Sequence, residues 1–88
     1  MEETKWTRDQ VREETRKRVA ELTELETSEV GDDALFIDEL GMDSLMAIEL
    51  MVALDKEYQI DISEEEFREI KNVNEAVDVI MRYLENRN

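Results

Sequence analysis

Eighty-eight residues carrying a net charge of −14, with no histidine, cysteine or proline, leave few functional classes open. Disulfide frameworks, thiolate metal centres and most nucleophile–base triads are excluded, so no bound metal and no catalytic residue is expected. The charge repels phosphate backbones and anionic lipid, which argues against nucleic acid and membrane insertion and points instead to basic protein surfaces.

At this length a chain buries only roughly 60 to 65% of its unfolded surface, so a single compact domain, residues 1–88, is expected, with about residues 1–6 as an N-terminal extension. A hydrophobic fraction of 41% suffices for a small core, and only Gly31 and Gly41 interrupt the chain. That composition favours helices over a turn-rich β fold. No apolar run approaches the roughly 18 residues of a membrane span, and residues 1–6 lack the apolar core of a signal peptide. A soluble, cytoplasmic monomer is the expectation.

Thr7 followed three residues later by Gln10 forms a capping box, and Val11, Thr15, Val19 and Leu22 continue at helical spacing. The pattern predicts a first helix from about Arg8 to Leu25, with Thr15 weakening its apolar stripe. A long connection follows through Gly31 to Met42. It carries Val30, Leu35, Phe36, Ile37 and Leu40, too apolar for a free linker, and is expected to lie against the helices.

A second helix opens at Asp43 or Ser44 and reaches about Tyr58. Two apolar stripes separate on it: Ala47, Leu50, Met51, Leu54 and Tyr58 for the core, and Leu45, Ile48 and Val52 left partly exposed beside Glu49. An exposed apolar strip with an acidic rim suits docking into a basic, apolar groove on a partner.

Tyr58 to Ile62 alternates apolar and polar residues but has no strand to pair with, so it reads as an extended connector. Ser63 and Glu66 form a second capping box, with Ile62 and Phe67 as a hydrophobic staple, marking a short third helix that ends near Glu69 or Ile70. Asn72 and Glu75 cap a last helix from about Val73, along which Val73, Ala76, Val77, Ile80, Met81 and Leu84 make the clearest amphipathic pattern. The fold class is therefore all-α: a four-helix bundle of three longer helices and one short third helix, with a long loop between the first two.

Acids crowd the middle of the chain from Asp38 to Glu69, opposed there only by Lys56 and Arg68, while bases cluster between Arg8 and Arg18. Ser44 stands where the acidic loop meets the apolar helix. With Gly41 just before it and no side-chain base available, it is poorly placed as an enzyme's own nucleophile and well placed to be modified by another enzyme.

Leu40-Gly41-Met42-Asp43-Ser44-Leu45, followed by Met46-Ala47-Ile48-Glu49-Leu50, resembles the prosthetic-group site of acyl carrier proteins. Phe36, Tyr58 and the Ile60-Asp61-Ile62 connector stand at family-like spacing, and the order of helices matches over nearly the whole chain. The resemblance implies that Ser44 receives 4'-phosphopantetheine from coenzyme A through a magnesium-dependent phosphopantetheinyl transferase. Acyl groups would then ride as thioesters on the arm's thiol and pass to acyl-processing synthase enzymes with basic docking patches.

Asp43 matches the acid before the modified serine, compatible with a helix N-cap. Leu45, Ile48, Glu49 and Val52 match the family's docking strip, with Asp55 and Glu64 among the acids around it. Phe36, Leu54, Tyr58, Ile62, Phe67, Ile70 and Ile80 resemble the lining of a space for the acyl chain, although ordinary core is the safer reading of them. Met46 replaces an acid usual in fatty-acid carriers and gives the segment a polyketide-carrier character; Lys56 breaks the acidic run, Ser63 replaces a common proline, and Phe67 could shorten the cavity. Fatty acid and polyketide biosynthesis both remain open as pathways.

Three other readings exist. A calcium loop starting at Asp38 would need oxygen ligands where Leu40 and Met42 stand. An enzyme working with carboxylates alone lacks a nameable pair of acids in an apolar pocket. A helical adaptor without a prosthetic group, docking through the second helix with Ser44 only a cap, stays as the alternative.

Overall fold

The computed structural model describes residues 6–86 and has four α-helices: α1 (Arg8–Thr23), α2 (Ser44–Tyr58), α3 (Glu64–Arg68) and α4 (Val73–Asn86). Three are long and the third is short, and a 20-residue connection separates α1 from α2, as the all-α expectation requires. Residues 1–5 of the expected N-terminal extension lie outside the described residues. Trp6 of that segment is half-buried, with its ring edge-on to Tyr58 at a centroid distance of 4.8 Å.

The starts of the three longer helices are built from the residues expected to build them. Gln10 donates its amide to Thr7 Oγ1 at 3.1 Å while Gln10 Oε1 accepts the Thr7 amide at 2.9 Å, a complete capping box. Asn72 Oδ1 accepts the Glu75 amide at 2.9 Å at the start of α4. The box on α3 is only half formed. Ser63 Oγ accepts the Glu66 amide at 3.1 Å, but the Glu66 carboxylate turns away to Tyr83 and Arg82. The Tyr83 hydroxyl then accepts the Ser63 amide at 3.4 Å, so a residue from α4 takes the donor the box would have satisfied.

The first helix ends at Thr23, two residues before the expected end. Glu24 takes a left-handed conformation (φ 60°), and the Leu25 amide turns back to the Ala20 carbonyl at 3.0 Å. No glycine announces this stop, although a left-handed residue is a normal way to close a helix. Thr27–Glu29 forms a short 3-10 turn that periodicity could not reveal.

α1 packs against both α4 and α2, joining the first and last described helices through one core. Val11 and Val19 of α1, Leu50, Leu54 and Tyr58 of α2, and Val73, Ala76, Val77 and Ile80 of α4 are essentially inaccessible. Ile62 and Phe67, the staple pair, are buried with them. Thr15 is wholly buried, and its hydroxyl has no hydrogen-bond partner among the described residues, the weak point expected in the α1 stripe.

The four arginines of α1 pair with carboxylates elsewhere in the molecule. Arg12 and Arg16 both pair with Asp32 of the long loop, Arg18 reaches Glu57 of α2 at 2.9 Å, and Arg8 pairs with Asp78 of α4. One helix thus braces three other parts of the chain by charge. The acids of α2 and α3 are left to set the sign of the opposite surface.

Candidate functional site

The long loop is fastened before it reaches α2. The Phe36 amide donates to the Lys71 carbonyl at 2.9 Å, the Asn74 amide to the Asp32 carbonyl at 3.1 Å, and Asn74 Nδ2 to Asp33 at 2.7 Å. Phe36 and Met42 are buried, and the Met42 amide closes back onto the Phe36 carbonyl at 2.9 Å. Gly41 permits that closure with a φ of 76°, a conformation that side chains resist; open space surrounds its Cα, so conformation and not crowding calls for glycine.

Directly after this turn, Asp43 serves as N-cap of α2, its Oδ1 accepting the Met46 amide at 2.9 Å. Ser44 is the first helical residue and is exposed. The amides of Ser44 and Leu45, at the same open end, have no intrahelical acceptor, so the helix start favours an oxygen-rich anionic group.

An apolar cavity of about 600 Å³ lies between the loop, α2 and α3, and Ser44 is among its lining residues. Phe36, Phe67 and Ile70 from the expected acyl-lining set line it. Leu54, Tyr58, Ile62 and Ile80 from that set do not. They are 0–2% exposed in the bundle core: Leu54 and Tyr58 lie on α2 and Ile80 on α4, the two helices that pack on α1, and Ile62 lies in the connector after α2. Met42, Ala47, Met51, Leu35 and Ile37 contribute the rest of the apolar wall, with Asp38, Glu64, Arg68 and Lys71 also among the lining residues. Sequence reasoning did not place Leu35, Ile37, Met42, Ala47 or Met51 in such a lining; for the three loop residues among them the signal was the unusually apolar connection.

The two stripes of α2 separate. Leu50, Leu54 and Tyr58 are buried and Ala47 and Met51 are half-buried, whereas Leu45, Ile48 and Val52 are 65%, 45% and 48% exposed. Glu49 is exposed beside them. Ile37 of the loop is 63% exposed as well, an apolar residue that the helical period could not bring into view.

Asp55 is positioned differently from the rim expected for it. Its carboxylate accepts the Ile62 amide at 3.1 Å and ties the end of α2 to the connector. Burial raises its pKa above the usual carboxylate value, the Ile62 bond counteracts this, and nearby Asp61 adds to the rise. Glu64 stays at the exposed surface near Arg68, 3.9 Å away. Tyr58 holds its phenol far above its ordinary pKa through burial, reinforced by Glu14 and Glu57, and stays neutral. Among the described residues, no cluster of carboxylates is arranged to hold a metal ion.

The sequence profile described as "Phosphopantetheine attachment site" matches residues 13–80, well over half of the chain. The chain belongs to this phosphopantetheine-attachment family. It is 38% identical over 72 residues to an acyl carrier protein of Buchnera aphidicola subsp. Acyrthosiphon pisum strain Tuc7, covering 82% of this chain and 90% of that protein. An acyl carrier protein from strain 5A is 39% identical over 70 residues, covering 80% and 88%.

Among solved structures, the acyl carrier protein of Enterococcus faecalis superposes with a TM-score of 0.76 at 30% identity, covering 88% of this chain and 98% of that one. The HMG-ACPI domain of the CurA module from Lyngbya majuscula gives 0.80 at 20% identity, covering 96% and 85%, and shows the shared fold. The chain is a phosphopantetheine-bearing carrier of acyl intermediates and not a catalyst of their chemistry. Family membership brings a phosphopantetheinyl transferase and acyl-processing enzymes as its partners. No helix among the described residues is long and apolar enough to cross a membrane.

Proposed function

We propose that Ser44 carries the 4'-phosphopantetheine arm, and that the chain works as a cytoplasmic monomer delivering acyl groups in fatty acid or polyketide biosynthesis. The observation that carries this reading is the position of Ser44: an exposed hydroxyl on the first residue of α2, one residue after the Asp43 cap and among the residues lining an apolar cavity. The residues present fit the group. The open amides at the start of α2 suit a phosphodiester, and an anion there is favoured by about 0.3–1 kcal/mol. The arm supplies the thiol that the cysteine-free chain lacks.

The chain's own residues do the rest. Asp43 holds the helix start in place and presents an acid to the transferase. Leu45, Ile48 and Val52 offer an apolar strip, with Glu49 and Glu64 to engage arginines or lysines of partner enzymes. The cavity walled by Phe36, Phe67, Ile70, Met42 and Met51 falls within the volume range of about 300–1,000 Å³ of small-molecule sites and suits an apolar acyl chain.

Incubation with coenzyme A, magnesium and a promiscuous phosphopantetheinyl transferase tests the attachment, with intact mass as the readout. The chain gains one phosphopantetheine and Ser44→Ala gains none. A gain that survives Ser44→Ala removes Ser44 from the role, and no gain in either leaves the adaptor reading.

A further inference from the structure

Residues 45, 49, 52 and 56 fall on one face of α2, at i, i+4, i+7 and i+11, and all four are exposed. The face is not uniformly acidic. Glu49 lies toward its Ser44 end, and Lys56 lies about 10 Å further along the axis. Neither side chain has an ion-pair partner among the described residues.

The surroundings sharpen this asymmetry. Arg18 of α1 reaches over the same end of α2, but its charge is satisfied by Glu57 at 2.9 Å, with Glu14 and Glu21 within 4 Å. Lys56 is therefore the open cation of this face. A shallow depression of about 520 Å³ runs beside it, lined by Arg18, Ile48, Glu49, Val52, Ala53 and Lys56, with Glu57 beyond. The small side chain of Ala53 leaves room there for groups of a partner.

We propose that this face docks an acyl-processing partner whose apolar groove places a cation opposite Glu49 and a carboxylate opposite Lys56, so that Lys56 disfavours partners with a wholly basic groove. The proposal rests on the carrier reading above and adds to it which partners fit. A positive groove gains from Glu49 and loses at Lys56, whereas a groove with an acid at the far end gains at both points. Like charges brought together at an interface discriminate against the wrong partner. Lys56 also lies in the last turn of α2, where a cation steadies the helix end. That role acts on stability alone and does not depend on the partner's charge.

The test uses a phosphopantetheinyl transferase with a wholly basic carrier groove and a known carrier-bound geometry. It is used unmodified and with the basic residue that faces position 56 replaced by glutamate. Loading of the full chain and of its Lys56→Glu and Lys56→Gln variants is followed by intact mass to give KM and kcat. With the unmodified enzyme, KM of Lys56→Glu falls about 2- to 5-fold below that of the parent chain, Lys56→Gln lies between, and kcat is unchanged. With the glutamate-bearing enzyme the order reverses.

KM values indifferent to residue 56, or moving in the same direction with both enzymes, overturn the proposal while loading at Ser44 stands. Absence of any loading in the parent chain overturns the carrier reading of Ser44 and this proposal with it. Circular dichroism melting of the three chains verifies that a change in KM is not a change in the folded fraction.

Discussion

Asp43 Oδ1 and the Met46 amide are 2.9 Å apart, and that bond fixes where α2 begins and so where the Ser44 hydroxyl stands. A carboxylate is used where an amide or hydroxyl could cap equally well. Asp43→Asn keeps the acceptor and removes the charge; Asp43→Ala removes both. The expected loss in unfolding free energy is about 1 kcal/mol for Asp43→Ala and a few tenths for Asp43→Asn, read by urea titration. Both variants load phosphopantetheine more slowly if the charge itself is recognised. If Asp43→Asn loads like the parent chain, the acid is a cap and nothing more.

Asp32 is gripped by Arg12 and Arg16 and is the main electrostatic fastening of the long loop to α1. Replacing it with alanine leaves the part-buried Arg12 and Arg16 guanidinium groups with only their local partners Asp9 and Glu13. The cost is on the order of 1 kcal/mol, smaller at high salt. Hydrogen exchange locates the effect: the Phe36 and Asn74 amides, which bond across the same junction, exchange faster in Asp32→Ala, while the Leu54 amide in the middle of α2 does not. Uniform acceleration over all amides means that the ion pairs hold the whole bundle and not the loop.

Asp55 gives a pH dependence whose sign follows from its upward shift. The folded state holds the Asp55 proton more tightly than the unfolded chain does. Its carboxyl therefore costs no stability below the ordinary value of 3.8, and the cost grows as pH rises through the shifted value and persists above it. Asp55→Asn keeps an acceptor for the Ile62 amide without the buried charge. Compared with the parent chain, it gains stability at pH 7 and loses that advantage near pH 3 in paired denaturant titrations. A variant less stable than the parent at pH 7 contradicts this account.

Glu24 closes α1 in a left-handed conformation that costs a side-chain-bearing residue about 1 kcal/mol, while glycine adopts it freely. Glu24→Gly is expected to raise the melting temperature by roughly 2–6 °C after the larger chain entropy of glycine is deducted. A lower melting temperature indicates that the Glu24 side chain contributes more than its backbone strain costs.

Helix identities, three of the starts and the exposed strip of α2 were legible because each depends on residues within a turn or two: Thr7 with Gln10, Asp43 with Met46, Asn72 with Glu75, and Leu45 with Ile48 and Val52. Features joining distant residues were not. Asp32 carries no sequence mark of its two arginines, and Glu66 reads as half of a capping box until Tyr83, 17 residues away, takes its carboxylate. The same limit divided the acyl-lining residues. Phe67 and Tyr58 are both large, apolar and buried, and only the relative placement of loop, α1 and α3 decides that one faces the cavity and the other the core.

The pairing of α1 with α4 has a consequence for the life of the molecule. α2 rests on a core that α4 helps to complete, and the loop that leads to Ser44 is held by the carbonyl of Lys71 and by Asn74. A chain emerging from the ribosome therefore cannot present a settled Ser44 turn until α4 has been made and has docked on α1. At synthesis rates of about 5–20 residues per second, the stretch from Leu45 to the end of α4 at Asn86 imposes a delay of about 2–8 seconds. On the proposed attachment at Ser44, loading would report a finished fold, because a truncated or misassembled chain presents no ordered turn there.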